Sequence, residues 1–462
     1  ERKATGSYYT PEYIVEYIIE NTVKPKVEEK IEEAEDDEEI LDKVKELNIC
    51  DPAMGSGHFL TEATSFIAHR IAEEAQLEGK VDEENEIVWL KRQVVQNSIY
   101  GVDINPLAVE LGKLSLWIET MAEGKPLSFL DHHLKVGNSL IGTSIEELEH
   151  HPGIDERPEA DFEEIFGLQN ARDALHMEYK NIEDKNEETK EDVKEKEQAY
   201  KEFKDNYYYE VLKKLSNVHT HLSFEESLSP KEYNKIRNDA IDIDDHQDKG
   251  WYKKAQEDAE QRNYFHWELE FPKVFFSTKS GFDAIIGNPP YVRQELIKEY
   301  KDFLEDKYEV FEGRGDIYSY FVERGLNILD EEGKFSYILS HKFTKVESGE
   351  KLRTYLSENT EVEQFIHFRD LPVFGEEISA YPAIMILRKN LTGEKFDFLK
   401  VSDLEFESLT ERVETLGKKV SQEELGSEEW TFLSDEEKSI RQKMRENGEP
   451  VKKAIGEPLA GV

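Results

Sequence analysis

Short apolar strands alternate with amphipathic helices, and this alternation limits the possible fold more than any other feature of the chain. A strand at residues 47–51 runs through a Gly-x-Gly turn into a helix at 59–75. A second strand at 98–103 precedes a helix at 106–121. The sequence therefore predicts an α/β fold in which a mostly parallel central sheet has helices on both faces.

The alternation stops between residues 145 and 275 and then returns. Segment 181–215 is rich in Glu and Lys at i,i+4 spacing, which predicts a large helical insertion. Two interpretations of the insertion are open: a solvated spacer, or a part with a clamping or docking role. Further strands are predicted at 282–287, 333–339 and 381–388.

The structure of the segments around this core is predicted from their charge and from residues that typically begin a helix. Residue 10 is expected to cap an N-terminal helix with Pro11 at its first position. Segment 28–46 is expected to form a solvated charged helix, and 400–462 to be polar and less regular. The lack of an initiator Met indicates a fragment or a processed chain.

Composition excludes several classes of protein. The single cysteine, Cys50, excludes an internal disulfide framework and favours a reducing cytoplasm. No apolar stretch approaches the roughly 18 residues that span a bilayer, and no signal peptide is present. The net charge of −43 has two explanations. Either the surface is adapted to high salt, with basic residues kept where nucleic acid touches, or the protein binds no nucleic acid.

The first motif with chemical meaning is Asp-Pro-Ala-Met-Gly-Ser-Gly-His-Phe at residues 51–59. Gly55 and Gly57 let the backbone approach a ligand closely, and the following helix directs its N-terminus at the ligand. A phosphate-binding P-loop is unsupported because no Gly-Lys-Ser/Thr follows, and a nicotinamide fingerprint lacks its third glycine. The motif predicts a ligand-binding turn.

Two polar residues follow the next strands. Asp103 is placed to accept hydrogen bonds from both hydroxyls of a ribose, with Ile104 behind it to pack on an adenine face. Alternatively, Asp103 caps the helix that begins at Pro106. Asn138, in a Gly-Asn-Ser-Leu turn, offers an amide to an adenine edge, although by itself this segment is only a turn.

The strongest motif is Asn288-Pro289-Pro290-Tyr291, which follows the strand at 282–287. Two prolines fix the backbone and remove two donors, so carbonyl groups face a cleft unopposed. Asn288 Oδ1 and the Pro289 carbonyl can each accept one hydrogen of a planar amino group, and Tyr291 can stack on its ring. The motif predicts an active site that acts on such a nitrogen.

The order of these motifs resembles the γ-class N6-adenine DNA methyltransferases, in particular the methylase cores of type IIG restriction–modification and BREX-type phage-defence enzymes. The resemblance covers residues 4–145 and 280–390 and implies a Rossmann-like fold that uses S-adenosylmethionine and no metal. It also implies the site residues. Expected at the cofactor are Tyr9, Thr10, Pro11, Asp51, Ala53, Gly55, Gly57, Phe59, Asp103, Ile104, Asn138, Leu140, Asn288 and Phe321; expected at the target base are Asn288, Pro289, Pro290, Tyr291 and Phe374.

Within this set the resemblance assigns individual roles. Thr10 and Pro11 flank the methionine end of the cofactor, and Asp51 belongs to its binding loop. Asn138 stands where the family commonly has Asp. Phe374 would stack on the second face of a flipped adenine, or else is a buried loop aromatic; Phe321 would line the cofactor pocket, or else is core.

The resemblance also implies an organisation and partners. Residues 1–145 would bind the cofactor, 146–275 form the insertion, 276–400 carry the catalytic half, and 401–462 form a linker into a truncated target-recognition region. Double-stranded DNA is the expected substrate, and restriction or phage-defence subunits are possible partners. Independently of the resemblance, five basic residues that follow sheet strands or the proline motif are candidate phosphate contacts, with a solvated surface role as the alternative for each: Arg293, Lys298, Arg314, Lys342 and Lys345. Alternatives are a release-factor glutamine or RNA amino-methyltransferase, and a catalytically silent acidic scaffold.

Overall fold

A nine-stranded sheet runs through the protein in a computed structural model. The model describes residues 9–75, 86–122, 124–152, 162–277, 280–292, 298–375, 381–389, 393–433, 439–440, 443–444 and 446–447. The strands are β1 (Ile49–Asp51), β2 (Ile99–Asp103), β3 (Leu134–Val136), β4 (Phe282–Gly287), β5 (Leu329–Ser340), β6 (Glu361–His367), β7 (Pro382–Arg388), β8 (Lys395–Lys400) and β9 (Lys418–Ser421).

Sixteen α-helices lie among the described residues. They are α1 (Glu12–Glu33), α2 (Ile40–Val44), α3 (His58–Glu74), α4 (Glu86–Asn97), α5 (Pro106–Glu119), α6 (Phe162–Glu183), α7 (Lys190–Lys204), α8 (Tyr207–Leu222), α9 (Pro230–Asn238), α10 (Gly250–Gln261), α11 (Trp267–Glu270), α12 (Pro272–Phe275), α13 (Lys301–Lys307), α14 (Tyr318–Asn327), α15 (Glu350–Asn359) and α16 (Leu409–Leu416). None of the described helices is long and apolar enough to cross a membrane.

The strand order is β3-β2-β1-β4-β5-β7-β6-β8-β9. The five pairs β3–β2, β2–β1, β1–β4, β4–β5 and β6–β8 are parallel. Strand β7 is antiparallel to both of its neighbours, and β9 is antiparallel to β8. The prediction of a Rossmann-like, mostly parallel sheet is confirmed. All parallel strands end at one edge of the sheet, which we call the carboxyl edge.

Side chains alternate between the two faces of the sheet with the period of two that strands impose. Ile49 and Ala284 point into one core, whereas Cys50 and Ile285 point into the other. Helices α1, α3, α4 and α5 cover the first face. The insertion helices, together with α14 and α15, cover the second face.

The insertion is therefore part of the core, and its interpretation as a solvated spacer is wrong. Tyr179, Phe203 and Tyr209 are each at most 1% exposed and belong to the same cluster as Tyr100 and Phe282 of the sheet. Helical spacing of charges describes only the outer faces of α6, α7 and α8. The few aromatic residues between those charges provide the apolar surface that is removed from water.

The N-terminal region also differs from expectation. Helix α1 begins at Glu12 with Pro11 as the preceding residue, and the Thr10 side chain makes no capping bond. Segment 28–46 is not one solvated helix, because α1 ends at Glu33 and α2 buries Ile40, Leu41 and Val44. The charges of this segment lie on the surface around that buried apolar triplet.

The sheet extends beyond the boundary predicted at residue 400. Strand β9 pairs with β8, and Trp430 is 1% exposed against the second core. Residues 401–433 are therefore packed on the sheet, so a linker cannot begin directly after residue 400. The other boundaries stay predictions, although β1–β3 do fall within residues 1–145 and β4–β7 within 276–400. Residues 451–462, and with them the proposed approach to a recognition region, lie outside the described residues.

Candidate active site

The Gly-x-Gly turn joins β1 to α3 at the carboxyl edge. The Met54 amide donates to the Val102 carbonyl at 3.0 Å, which ties the turn to β2. Gly57 has a φ of 81° immediately before α3, and a Cβ added there would lie 3.3 Å from Gly112 Cα on α5. Both the conformation and this close approach favour glycine. Gly55 has open space around its Cα, as a ligand-facing position requires.

Asp103 organises this turn. Its Oδ2 accepts from the Gly55 amide at 2.9 Å and its Oδ1 from the Asn105 amide at 2.8 Å. Helix α5 is capped by Asn105, whose Oδ1 accepts from the Leu107 amide at 3.0 Å. The capping alternative for Asp103 is therefore wrong. Burial raises the pKa of Asp103, and its two backbone donors lower it. Ile104, next to it, is 49% exposed.

Asp51 is the most perturbed acid of the site. It is 1% exposed, and its Oδ1 accepts from the Ala53 amide at 3.0 Å. Burial raises the pKa of Asp51 to about 8; the Ala53 hydrogen bond lowers it, and the charge of Asp103 raises it further. A Cβ on Gly287 would lie 2.6 Å from Asp51 Oδ1, so the glycine before Asn288 allows β4 to approach β1. A buried carboxyl group of this kind fits a cationic ligand group.

The turn Asn288-Pro289-Pro290-Tyr291, which we call the catalytic turn after its predicted role, meets the N-terminal segment at Asn288. Its Nδ2 donates to Thr10 Oγ1 at 3.1 Å, across 278 residues of sequence. This bond orients the amide, in which Oδ1 is the acceptor atom. Tyr9 is 72% exposed and stacks on His58 with ring centroids 4.7 Å apart. The sequence did not single out His58, although its position at the start of α3 next to the glycine turn marks it.

The turn at 137–140 packs against the glycine turn and helps to hold it in place. Asn138 is 8% exposed, and its Oδ1 accepts from the Leu140 amide at 3.2 Å. Ser139 Oγ donates to the Pro52 carbonyl at 2.6 Å and so links this turn to the glycine turn. Leu140 is 3% exposed, and Tyr308 donates to its carbonyl. A role of Asn138 or Leu140 at the cofactor stays a prediction.

The two aromatic residues expected at the target base are in contact. The rings of Tyr291 and Phe374 lie 6.1 Å apart at 68°, and Tyr291 also meets Tyr318 edge to face. Tyr291 Oη donates to the Ile338 carbonyl at 3.1 Å. A base between two parallel rings needs about 7 Å, twice the 3.4 Å spacing of stacked bases. This arrangement therefore requires Phe374 or Tyr291 to move before a base enters.

Other predicted positions are buried around the cleft. Pro289 is buried and Pro290 half-buried. Phe59 and Phe321 are 4% and 7% exposed and pack in the first and second cores respectively. Both aromatics can support the pocket wall, and a direct contact with a cofactor stays a prediction for each.

One group of three possible metal ligands occurs among the described residues: His132, His133 and Glu183. Both histidines precede β3, at the opposite edge of the sheet from Asn288. Glu183 Oε2 lies 3.3 Å from Lys273 Nζ, so a lysine already balances its charge. This group is separate from the candidate active site.

Comparison with known sequences gives the family. The sequence model of the Eco57I restriction-modification methylase family matches residues 97–374, and that of N-6 DNA Methylase matches residues 1–132. Type II methyltransferase M.BstVI of Geobacillus stearothermophilus is 38% identical over 108 residues, which is 23% of this chain and 19% of the relative. RM.Eco57I of Escherichia coli, a type II restriction enzyme and methyltransferase, is 37% identical over 133 residues, 28% of this chain and 13% of that enzyme.

A longer match is found in Methanocaldococcus jannaschii. Its putative type II restriction enzyme and methyltransferase RM.MjaORFECS2P is 27% identical over 345 residues, 66% of this chain and 26% of the relative. The chain thus spans about a quarter or less of these relatives. A nuclease-deletion mutant of the Type ISP restriction-modification enzyme LlaGI, solved in complex with a DNA substrate mimic, has a TM-score of 0.46 at 12% identity, over 93% of this chain and 27% of that one.

The family assignment rests on the matched range, which runs from β2 past the catalytic turn to Phe374. It covers more than half of the chain, including Asp103, Asn138 and Asn288. The chain belongs to the Eco57I restriction-modification methylase family.

Proposed function

We propose that this chain transfers the methyl group of S-adenosylmethionine to N6 of adenine in duplex DNA, as part of a restriction–modification or phage-defence system. The observation that carries the proposal is the juxtaposition of Asn288 with Thr10 and Asp51 at the carboxyl edge. The family assignment and the names of the relatives, which are methyltransferases and restriction enzymes, support it.

The residues at the edge fit the cofactor. Asp103 is an acceptor at the end of β2, where a ribose binds in sheets of this kind. Half-exposed Ile104 offers an apolar face to the adenine. Asp51, a buried carboxyl group with a raised pKa, suits the cationic methionine portion. When bound, the cofactor supplies an electrophilic methyl group.

The chain's own residues prepare the nucleophile. The target adenine must leave the base stack to reach the cleft, which costs a few kcal/mol. Stacking on Tyr291 and Phe374 offsets this by roughly 1–3 kcal/mol per aromatic contact. Asn288 Oδ1 and the Pro289 carbonyl accept the two N6 hydrogens, favour a pyramidal nitrogen and stabilise the positive charge that develops there. Once methylated, the nitrogen is cationic and releases one of its two protons to water.

The test compares Asn288→Ala with Asn359→Ala, a matched change at an exposed helix end. We expect Asn288→Ala to lower methyl transfer to unmethylated genomic DNA at least 100-fold, because one acceptor of the developing charge is lost. Cofactor affinity, measured by calorimetry, should change less than about threefold. Asn359→Ala should match the wild type in both measurements.

The substrate class is decided in the same assay. N6-methyladenine in the digested DNA, identified by mass spectrometry, supports the proposal. Methylation of RNA, or of a glutamine-containing release-factor peptide, without methylation of DNA would reject it. Cofactor binding without transfer to any of the three substrates would support the scaffold alternative.

A further inference from the structure

The carboxyl edge continues beyond the catalytic turn as a basic groove. Strands β5, β6 and β8 point in the same direction as β4, so their ends emerge on the same side as Asn288. A cavity of about 450 Å³ opens there on a floor of aromatic side chains that includes Phe398 and Trp430. The basic groove is defined by its cationic and imidazole side chains: Lys345, His367, Lys400, Arg412 and Lys418.

The charges of the basic groove contrast with those of the chain as a whole, which has 102 acidic and 59 basic residues. Arg412 is balanced by Asp403, whose Oδ2 lies 2.7 Å from Arg412 Nη2. Lys400 is exposed and forms no ion pair with any residue that the structure describes. Lys418 Nζ lies 5.5 Å from the centre of the Phe398 ring. The groove thus keeps positive charge in a protein where acids are abundant.

A pair of histidines connects the basic groove to the cleft. The rings of His341 and His367, at the ends of β5 and β6, have centroids 3.7 Å apart. The pKa of His367 is lowered to about 3 by burial first, then by His341, Lys400 and Lys345. The ammonium groups of Lys345 and Lys400 therefore both lie near His367 at the same cavity. An anion placed there would reduce their repulsion.

The same pair holds the loop that carries Phe374. A ring nitrogen of His341, Nε2, lies 3.2 Å from the Arg369 carbonyl, and the Arg369 amide donates to His367 Nδ1 at 3.1 Å. Arg369 has a φ of 59°, a left-handed conformation that costs energy for a residue with a side chain. One loop therefore connects the basic groove to the cleft at Tyr291. It contacts the two histidines through Arg369 and, five residues later, contacts Tyr291 through Phe374.

We propose that the basic groove binds backbone phosphates of the duplex on one side of the flipped adenine. This inference rests on the proposed function. From β4 to β8 there are four strand spacings, about 19 Å at 4.8 Å each. At about 3.4 Å per nucleotide, this distance places the bound phosphates five to six nucleotides from the target, about half a helical turn. Lys342, whose Nζ lies 4.8 Å from the Tyr381 ring centre, lies between them at the end of β5.

The proposal explains how an acidic protein can hold DNA. Repulsion from the acidic surface confines attraction to the carboxyl edge, and a phosphate at Lys345 and Lys400 aligns the duplex with Asn288. Lys342 and Lys345 are among the candidate contacts predicted from the sequence. Arg293 lies outside the described residues. Lys400 and Lys418 were not identified, because their proximity to β5 depends on the pairing of β6, β8 and β9.

The test measures binding of a 24-base-pair duplex by fluorescence anisotropy over a series of KCl concentrations. The double variant Lys345→Gln/Lys400→Gln should bind about tenfold more weakly at low salt. Its slope of log K against log salt should be shallower by about 1.8, since each lost phosphate contact removes about 0.9. The control Lys231→Gln/Lys253→Gln makes the same charge change on exposed insertion helices and should keep the wild-type slope.

Failure of this inference and failure of the proposed function give different results. An unchanged slope in the groove variant overturns the inference even if wild-type protein methylates DNA. The other case is a wild type that transfers no methyl group while the salt slope falls as expected in the groove variant and stays normal in the wild type and the control. That result would reject the proposed function and leave the groove assignment intact. If the variant instead loses affinity for an acidic peptide and keeps its DNA slope, the groove is a protein-docking surface and the inference is wrong.

Discussion

Asp51 is a buried acid whose proposed role in cofactor binding would come at the expense of folding stability. The carboxyl group is buried at the end of β1, and its pKa is raised to about 8. In an unfolded chain an aspartate titrates near 3.9. Between these two values the folded protein holds a proton that the unfolded chain has lost. The stabilising effect of this proton is complete below about pH 4 and is lost as the pH rises through 8.

We expect Asp51→Asn to remove that pH dependence. Asparagine keeps an acceptor for the Ala53 amide but carries no charge to bury. Urea unfolding of the cofactor-free protein should show the variant gaining stability over the wild type as pH rises from 6 to 8.5, while its cofactor affinity falls at least tenfold. Asp248→Asn, at a side chain that is 97% exposed, should change neither. A stability difference that is constant with pH would contradict the prediction.

At the scale of elements, a buried ion pair inside the insertion holds the carboxylate through which the insertion contacts the sheet domain. Lys196 Nζ on α7 lies 2.9 Å from Glu187 Oε1, with both side chains 2% exposed. Glu187 Oε2 accepts from Gln96 Nε2 on α4 at 2.9 Å and from the Phe129 amide at 3.0 Å. Glu187 therefore joins α4, the segment before β3 and α7. Removal of its cation leaves a carboxylate in an apolar site.

Lys196→Met should lower the free energy of unfolding by about 3–5 kcal/mol, the usual cost of leaving one member of a buried pair uncompensated. The matched control is Lys125→Met, which breaks the pair with Glu188, where the side chains are 42% and 53% exposed. That exposed pair should contribute less than about 1 kcal/mol. Equal losses for the two variants, measured by denaturant unfolding, would show that burial does not set the contribution of Lys196.

On the scale of the whole molecule, repulsion between acidic side chains is the main electrostatic effect on the stability of the folded state. The net charge of −43 repels itself in the compact state. Added salt shortens the screening length from about 10 Å at 0.1 M to about 3 Å at 1 M. Helix α5 adds a second effect, because Leu107, Leu111, Leu114 and Ile118 are 45–66% exposed on its outer face and favour association at high salt.

We expect the Tm to rise by ~5 °C between 0.05 and 1 M KCl, because screening reduces the repulsion in the folded state more than in the expanded unfolded chain. Calorimetry measures this shift, and sucrose at equal osmolality serves as the uncharged control. Light scattering at each salt concentration separates monomer stabilisation from association through α5. A Tm that falls with KCl would mean that the surface ion pairs outweigh the net repulsion.

The sequence by itself determined the chemistry at the strand ends. Strand period, the glycine turn and the two prolines are local properties, so β1, β2 and β4 and the acids or amide that follow them could be located within a few residues. Parallel strands end at one edge, so the sequence alone predicts that Asp51, Asp103 and Asn288 lie together. The same rule applies to His341, which directly follows β5, and to His367, the last residue of β6, although no sequence motif marks them.

Only the tertiary structure decided what depends on distant pairing. The bond from Asn288 to Thr10 joins residues 278 positions apart, and it takes Thr10 away from capping α1. Distant pairing also decides three other features. Strand β7 lies antiparallel between β5 and β6, the insertion helices are buried on the sheet, and Lys345 lies near Lys400. Local patterns fix the period of a segment, whereas packing decides which apolar face it buries and which distant charges become neighbours.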